Sequence, residues 1–294
     1  MACHIANLLN AEIVCADSRQ IYRGLPIGSA MPSLTQRQGI PHHLYGVLSP
    51  DQPCSAGAYR ELAHPVIREI HARGKLPLLV GGTGLYLEAV TGEIGLAPPL
   101  KPETIQVLRT RQEREGPEIM WKELAGIDPA AARAISPRDS QRIIRAMGIF
   151  LDTGRRREEF AGGGAPLFSP VAKAALDVPR QVLYRRIDER CEAMFRAGLM
   201  EEARGLKQAG FSQNLPALKS IGYRYLYAVI DGKLSPSEAT TLMQRDTRRY
   251  AKRQLTWLRG RGKAAWVEWG DIAATAQIIA SRFNLTMQEE NKCA

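Results

Sequence analysis

Three strings in this chain carry side chains suited to chemistry. Asp17-Ser18-Arg19-Gln20-Ile21-Tyr22 sets an acid, a hydroxyl, a guanidinium and an amide side by side. A carboxylate there can accept a proton or orient a nucleophile, and its neighbours suit the edge of a nucleobase. The plainer role for Asp17 is to cap its own turn by accepting backbone N–H groups. Gly81-Gly82-Thr83-Gly84 can hold an anion on the free N–H groups of a following helix, or serve only as a tight turn. It does not complete a dinucleotide fingerprint, because no acid closes a second strand about 20 residues further on.

The third string is a charge run. Between residues 245 and 263 stand Arg245, Arg248, Arg249, Lys252, Arg253, Arg259, Arg261 and Lys263, against the one acid Asp246. Tyr250 and Trp257 are interleaved and can stack on bases or wall a channel. A solvated helix face ordinarily carries acids for pairing; this one nearly excludes them and points to nucleic acid. Gln141-Arg142-Ile143-Ile144-Arg145 places two arginines one helical turn apart, which suits either a phosphate-contacting or a merely solvated face. The histidines (His4, His42, His43, His64, His71) show no zinc-hydrolase spacing and receive no role.

These strings need elements to hold them. Met1–Asn10 reads as the back half of a helix, and Glu12–Ala16 as a buried strand running into Asp17. An irregular, proline-rich stretch follows from Gly24 to Pro53. A helix is predicted over Ser55–Arg73, with Pro65 expected to kink or split it and Gly74 at its end. Leu76–Val80 suits a fully buried parallel strand. It enters the glycine turn and then a helix, the arrangement of a doubly wound α/β fold that binds ligands at strand carboxyl ends. Helical patterns fill Glu103 to Thr153, with starts at Asp128-Pro129 and Ser136-Pro137. Gly162-Gly163-Gly164 reads as a flexible loop, and Lys173–Val178 as a return to the sheet. Ser235-Pro236-Ser237-Glu238 opens a helix to about Leu258. Its apolar face holds Met243, Thr247, Ala251, Leu255 and Leu258, opposite Arg245, Arg249, Lys252 and Arg259.

Composition bounds the reading. The chain has 294 residues, 45% hydrophobic and 24% charged, an ordinary globular balance of one large domain or two modest ones. No run of about 18 apolar residues exists to span a membrane, and Met1–Glu12 lacks the features of a secretory signal. Five scattered cysteines without a Cys-x-x-Cys pair argue against a disulfide framework and a zinc site, and for a reducing cytoplasm. Forty basic residues against thirty acidic ones give a net charge of +10, which favours a polyanionic partner over general solubility.

Taken in order, Asp17–Tyr22, Gly81–Tyr86, Gln141–Arg145, Lys219-Ser220-Ile221-Gly222-Tyr223-Arg224 and Lys252-Arg253-Gln254-Leu255-Thr256-Trp257-Leu258-Arg259 resemble the bacterial tRNA dimethylallyltransferase (tRNA isopentenyltransferase) family. The likeness covers nearly the whole chain. It implies an α/β core of P-loop-NTPase type, a parallel sheet flanked by helices, with an all-helical insertion and a helical C-terminal part. The core is expected at residues 1–98 and 166–294, and a tRNA-contacting insertion at 99–165. The implied reaction moves a dimethylallyl group from dimethylallyl diphosphate to N6 of the adenine immediately 3′ of the tRNA anticodon. Asp17 matches the family's general base. Thr83 matches a residue touching the reacting region, through the adenine or the diphosphate. Arg186 and Arg190 are candidates for the leaving diphosphate. Asp17, Ser18, Arg19, Gln20, Thr83, Gln141, Arg142, Ile143, Ile144, Arg145, Lys219, Gly222, Tyr223, Arg224, Lys252, Arg253, Gln254, Trp257 and Arg259 are the implied tRNA contacts. Mg2+ is the implied cofactor, the anticodon stem-loop the partner, a cytoplasmic monomer the expected state.

The family's phosphate loop, G-x-x-x-x-G-K-[ST], would precede the first helix, and no such motif occurs in these residues. The intact order of the other motifs favours a true start upstream of Met1 over a truncation. Two rivals follow. An adenylate isopentenyltransferase shares the first motifs but does not need an insertion or a basic terminal helix. A tRNA-binding protein without catalysis would follow from a lost phosphate loop.

Overall fold

The computed structural model describes residues 1–294 except 161, 163–167, 169, 170, 262 and 294, and no side chain from 285 onward. The chain forms two compact units, Met1–Val90 with Phe168–Ala294, and Thr91–Leu167.

The first unit is built on parallel strands. Helix α1 (Ala2–Leu8) leads into β1 (Ala11–Cys15), all five residues of which are buried. β1 is the centre of a parallel three-stranded sheet, between β2 (His42–His43) and β3 (Leu76–Val80). His42 and His43 are therefore half-buried strand residues. β3 departs from expectation: all five residues are half-buried rather than buried. It pairs with β1 on one edge, and no strand among the described residues takes the other. The expected return to the sheet is β4 (Ala174–Asp177), which pairs in parallel with β5 (Ala265–Glu268) as a separate two-stranded ladder. Both ladders share one apolar core. Ile13, Val267, Ile279 and Ala280 are buried there, with Leu78, Val80 and Leu176 packed against them.

Local chemistry explains the helices. Ser55 caps α2 (Ala56–Ala72) by accepting from Ala58 N at 3.1 Å. Pro65 lies inside this helix without splitting it. The glycine turn opens α3 (Gly84–Thr91). After β4 come α8 (Arg180–Arg196), α9 (Leu199–Gln208) and α10 (Tyr223–Ile230). The capping box at Ser235 forms as expected: Glu238 N donates to Ser235 Oγ at 3.2 Å, and Ser235 N to Glu238 Oε2 at 2.8 Å. The helix it opens, α11 (Pro236–Arg261), runs one turn past its expected end. α12 (Ile272–Cys293) closes the chain.

One buried acid ties this sheet together. Glu12 on β1 is 3% exposed. It accepts from Arg73 Nη2 at 2.6 Å, lies 2.7 Å from His43 Nε2, and is 3.4 Å from Lys75 Nζ. The Arg73 guanidinium, above all, holds its carboxyl down at about 2, against the opposing effect of burial. A carboxyl depressed on folding stabilises the fold fully above its unfolded value of about 4.5, and this is lost as pH falls towards 2. Arg73→Gln is expected to destabilise the protein at neutral pH by about 1–3 kcal/mol, because it leaves a buried carboxylate short of its main cation. The deficit should shrink below about pH 4, where the variant's Glu12 protonates. Urea melts at pH 7 and pH 3 measure both, and an equal deficit at the two would contradict this account.

The second unit is helical: α4 (Pro102–Glu115), α5 (Pro117–Ile127), α6 (Pro129–Ala134) and α7 (Ser140–Thr153), then a 3-10 turn at Arg157–Phe160. Asp128 caps α6 with Pro129 in its first turn, as expected. Ser136-Pro137 does not start a helix. Asp139 does, its Oδ1 accepting from Arg142 N at 3.1 Å, so the next capping-competent residue won. This unit begins at Thr91 rather than at residue 99. Arg145 Nη2 donates to the carbonyls of Ala97 and Pro98, both at 2.9 Å, and fastens that segment to α7. Gly163 and Gly164 of the expected loop lie outside the described residues. Among the described residues Cys3, Cys15, Cys54 and Cys191 are free, and no helix is long and apolar enough to cross a membrane.

Candidate functional site

The strand carboxyl ends deliver two loops to one place. β1 ends at Cys15 and leads through Ala16 to Asp17, β3 ends at Val80 and leads to Gly81, and the loops meet almost without clearance. A Cβ at Gly81 would lie 2.2 Å from the carbonyl of Ala16, so only glycine lets the two backbones approach. Two hydrogen bonds lock the loops together: Thr83 N donates to Ala16 O at 3.2 Å, and Ser18 N to Thr83 Oγ1 at 2.9 Å. Beneath them, the buried Tyr59 hydroxyl donates to Cys15 O at 2.6 Å, and its ring stacks on Tyr86 of α3 at 4.1 Å.

Asp17 caps its own turn through one of its two carboxylate oxygens. Oδ1 accepts from Arg19 N at 2.7 Å and Gln20 N at 3.3 Å, a local turn cap. Oδ2 has no hydrogen-bond partner among the described residues, and the residue is half-buried. One oxygen fixes the carboxylate and the other is left open. Thr83 is similar. Its oxygen is oriented by the Ser18 N–H, while its own hydroxyl proton remains free to donate.

Two neighbours spend part of their polar ends within the fold. Arg19 Nη1 donates to the carbonyl of Pro216, and Gln20 Nε2 to the carbonyls of Ser29 and Ala30 at 3.1 and 2.8 Å. Both fix backbone segments around the site. The second segment is held from its far side by Glu202 of α9, which accepts from Ile27 N at 2.7 Å, from Gly28 N at 2.9 Å and from the Tyr223 hydroxyl. Glu202 carries no local signal, since its partners lie far away in sequence.

α11 closes the site from above through a third face. Gln254 Nε2 donates to Gly82 O at 2.9 Å. The Trp257 ring occupies the space a Cβ at Gly84 would need. Tyr250 completes the row at helical spacing, and burial pushes its hydroxyl above the usual tyrosine value. Further along, Arg259 lies 3.8 Å from Asp177 at the end of β4 and 5.5 Å over the Trp266 ring. α11 thus crosses from the carboxyl end of one ladder to that of the other. Of its expected apolar stripe, Met243 is buried and Thr247, Ala251, Leu255 and Leu258 are half-buried.

Other expected residues divide by exposure. Lys252 and Arg253 are exposed and make no ion pair among the described residues, Arg253 resting over the Tyr250 ring at 5.5 Å. Lys219 is exposed too. Tyr223 is 1% exposed and bonded to Glu202, so it is a core residue with almost no surface to offer a ligand. Gly222 packs against Met243 with φ +113. Arg186 lies 4.4 Å over the Trp269 ring just past β5, and Arg190 is exposed on the same helix.

Within the helical unit, Gln141 and Arg142 are exposed, the latter 3.4 Å from Asp139, and Ile144 is half-buried. Ile143 is fully buried in this unit's core with Leu108, Met120 and Leu124, and cannot touch a ligand. Arg145 is spent on two carbonyls. The motif therefore mixes surface and core residues, which its spacing alone did not separate.

Residues 20–261 match the family model described as IPP transferase. A tRNA dimethylallyltransferase of Thermomicrobium roseum is 42% identical over 293 residues, covering 99% of this chain and 88% of that protein. One from Geobacter sulfurreducens is 44% identical over 287 residues, covering 96% and 92%. Among solved structures, the full-length tRNA isopentenylpyrophosphate transferase of Bacillus halodurans aligns with a TM-score of 0.73 at 34% identity, covering 99% of this chain and 93% of that one. A eukaryotic dimethylallyltransferase acting on tRNA shares the fold, with a TM-score of 0.76 at 24% identity over 99% of this chain and 75% of that one.

Proposed function

This chain belongs to the IPP transferase family, and we propose that it moves a dimethylallyl group from dimethylallyl diphosphate to N6 of the adenine immediately 3′ of the anticodon. It is a prenyltransferase with tRNA as its substrate. The observation that carries the finer reading is the division of labour at Asp17, one carboxylate oxygen fixed and one free beside Thr83.

The chemistry needs that arrangement. The adenine amine is a weak nucleophile because its lone pair is delocalised into the ring. As N6 bonds to the allylic carbon, the carbon–oxygen bond to diphosphate breaks. Asp17 Oδ2 accepts the proton that N6 loses. Thr83 donates its hydroxyl proton to the adenine or to a diphosphate oxygen. Arg186 and Arg190 are the candidates to offset the charge that grows on the departing diphosphate. The adenine must leave its stack to reach Asp17, so the protein needs a grip on the stem-loop. In the first unit the exposed Lys219, Lys252, Arg253 and Arg259 supply it. In the helical unit Gln141 and Arg142 are the exposed candidates.

Mg2+ is the ion the family implies. Bound to the phosphates of a substrate, Mg2+ needs only one or two protein oxygens, and among the described residues no three His, Cys, Asp or Glu side chains gather to hold a metal. We place the activity in the cytoplasm, on a monomer.

Incubating the protein with radiolabelled dimethylallyl diphosphate, Mg2+ and a tRNA bearing adenine next to the anticodon should label the RNA. The same tRNA with guanine at that position should remain unlabelled. Equal labelling of both would sink the assignment.

A further inference from the structure

The one acid in the basic run is its most connected residue. Asp246 of α11 is 9% exposed, and both its oxygens are engaged. Oδ1 lies 3.0 Å from Arg245 Nε and 3.5 Å from Arg249 Nη1. Oδ2 pairs with Arg224 of α10 and accepts from the Tyr225 hydroxyl at 2.6 Å. The Arg224 guanidinium also donates to that hydroxyl and lies 4.5 Å over the Tyr225 ring. Three guanidinium groups from two helices thus converge on one sunken carboxylate. Their side chains stay 44–64% exposed.

This is more cation than one acid neutralises. The cluster keeps two positive charges on an exposed face, with long side chains held rather than free. A guanidinium already held in place loses less conformational freedom when it binds an oxyanion than one that must be ordered on binding. We propose that Asp246 is a positioning residue for tRNA, presenting Arg224, Arg245 and Arg249 as a preformed cradle for backbone phosphate. The proposal rests on the tRNA reading above and adds a site outside the Asp17–Thr83 centre.

It makes a prediction opposite in sign to net charge. Asp246→Asn keeps the side-chain shape and removes a negative charge from a basic surface. Charge alone therefore predicts tighter tRNA binding and a steeper salt dependence. Loss of the cradle predicts a KM for tRNA raised about three- to tenfold, with kcat within twofold. The salt slope of binding should fall by about 0.7 to 0.9 for each phosphate that the arginines no longer neutralise. Tyr225→Phe serves as the second variant, because it removes one hydrogen bond to Asp246 without changing any charge. It should raise the KM for tRNA in the same direction by a smaller factor, also when Asp246→Asn fails to fold. Unchanged or tightened tRNA binding in a folded Asp246→Asn, or an unchanged KM in Tyr225→Phe, overturns the proposal. Lys252→Glu, outside the cluster, is measured alongside. If it weakens binding while the two variants do not, the basic face stands and the cradle falls.

Discussion

Asp17→Asn is expected to lower the single-turnover rate of dimethylallyl transfer by about 100- to 10,000-fold, the usual cost of a lost general base. Affinity for tRNA should stay within a few-fold. Asparagine is the sharper probe because the structure gives the two carboxylate oxygens different work. The amide oxygen can still accept from Arg19 N and Gln20 N, so the turn that Oδ1 caps survives. What disappears is the open oxygen proposed to receive the N6 proton. Asp17→Ala removes both functions, so its thermal stability should fall by about 1 kcal/mol as well. Rapid-quench transfer and melting curves on both variants separate the roles. An asparagine variant that retains near-full rate would reduce Asp17 to a cap.

Features whose cause lies within a few residues were legible in the sequence. Ser55 and Ser235 start their helices as expected, and β1 runs buried into the Asp17 turn. Asp17 itself was readable as either cap or base; the structure bears out the cap at Oδ1 and leaves Oδ2 open, so the base reading is not in competition with it. Features set by distant partners were not legible. The half-exposure of β3 depends on whether a strand lies beside it, which its apolar run Leu76–Val80 cannot state. Arg19, Gln20 and Arg145 look free in sequence, because the carbonyls they satisfy belong to other segments. Asp246 was visible only as the exception in a basic run, with no sign that it organises an arginine from another helix. Polar side chains near a site are thus divided between touching a ligand and holding the loops that do, and only tertiary structure divides them.

That division decides how the basic face must be tested. Arg249 belongs to the Asp246 cluster, so a glutamate there would press a like charge on a sunken carboxylate and confuse unfolding with weakened binding. Lys252 and Arg253 are exposed and free of ion pairs among the described residues. Lys252→Glu with Arg253→Glu is expected to weaken tRNA binding about ten- to a hundredfold at physiological salt. The slope of log affinity against log salt should become shallower by about 0.7 to 0.9 for each phosphate left without its cation. The melting temperature should hold, since surface changes away from packed features move stability by about 0.5 kcal/mol or less. Arg253 stacks on the Tyr250 ring at 5.5 Å on an exposed face, too weakly to alter that. Every tRNA should be affected alike, because phosphate recognition carries no base identity. A loss confined to one tRNA would mean that these side chains read bases instead. Unchanged affinity and slope in a folded double variant would show that the two charges only solvate the helix.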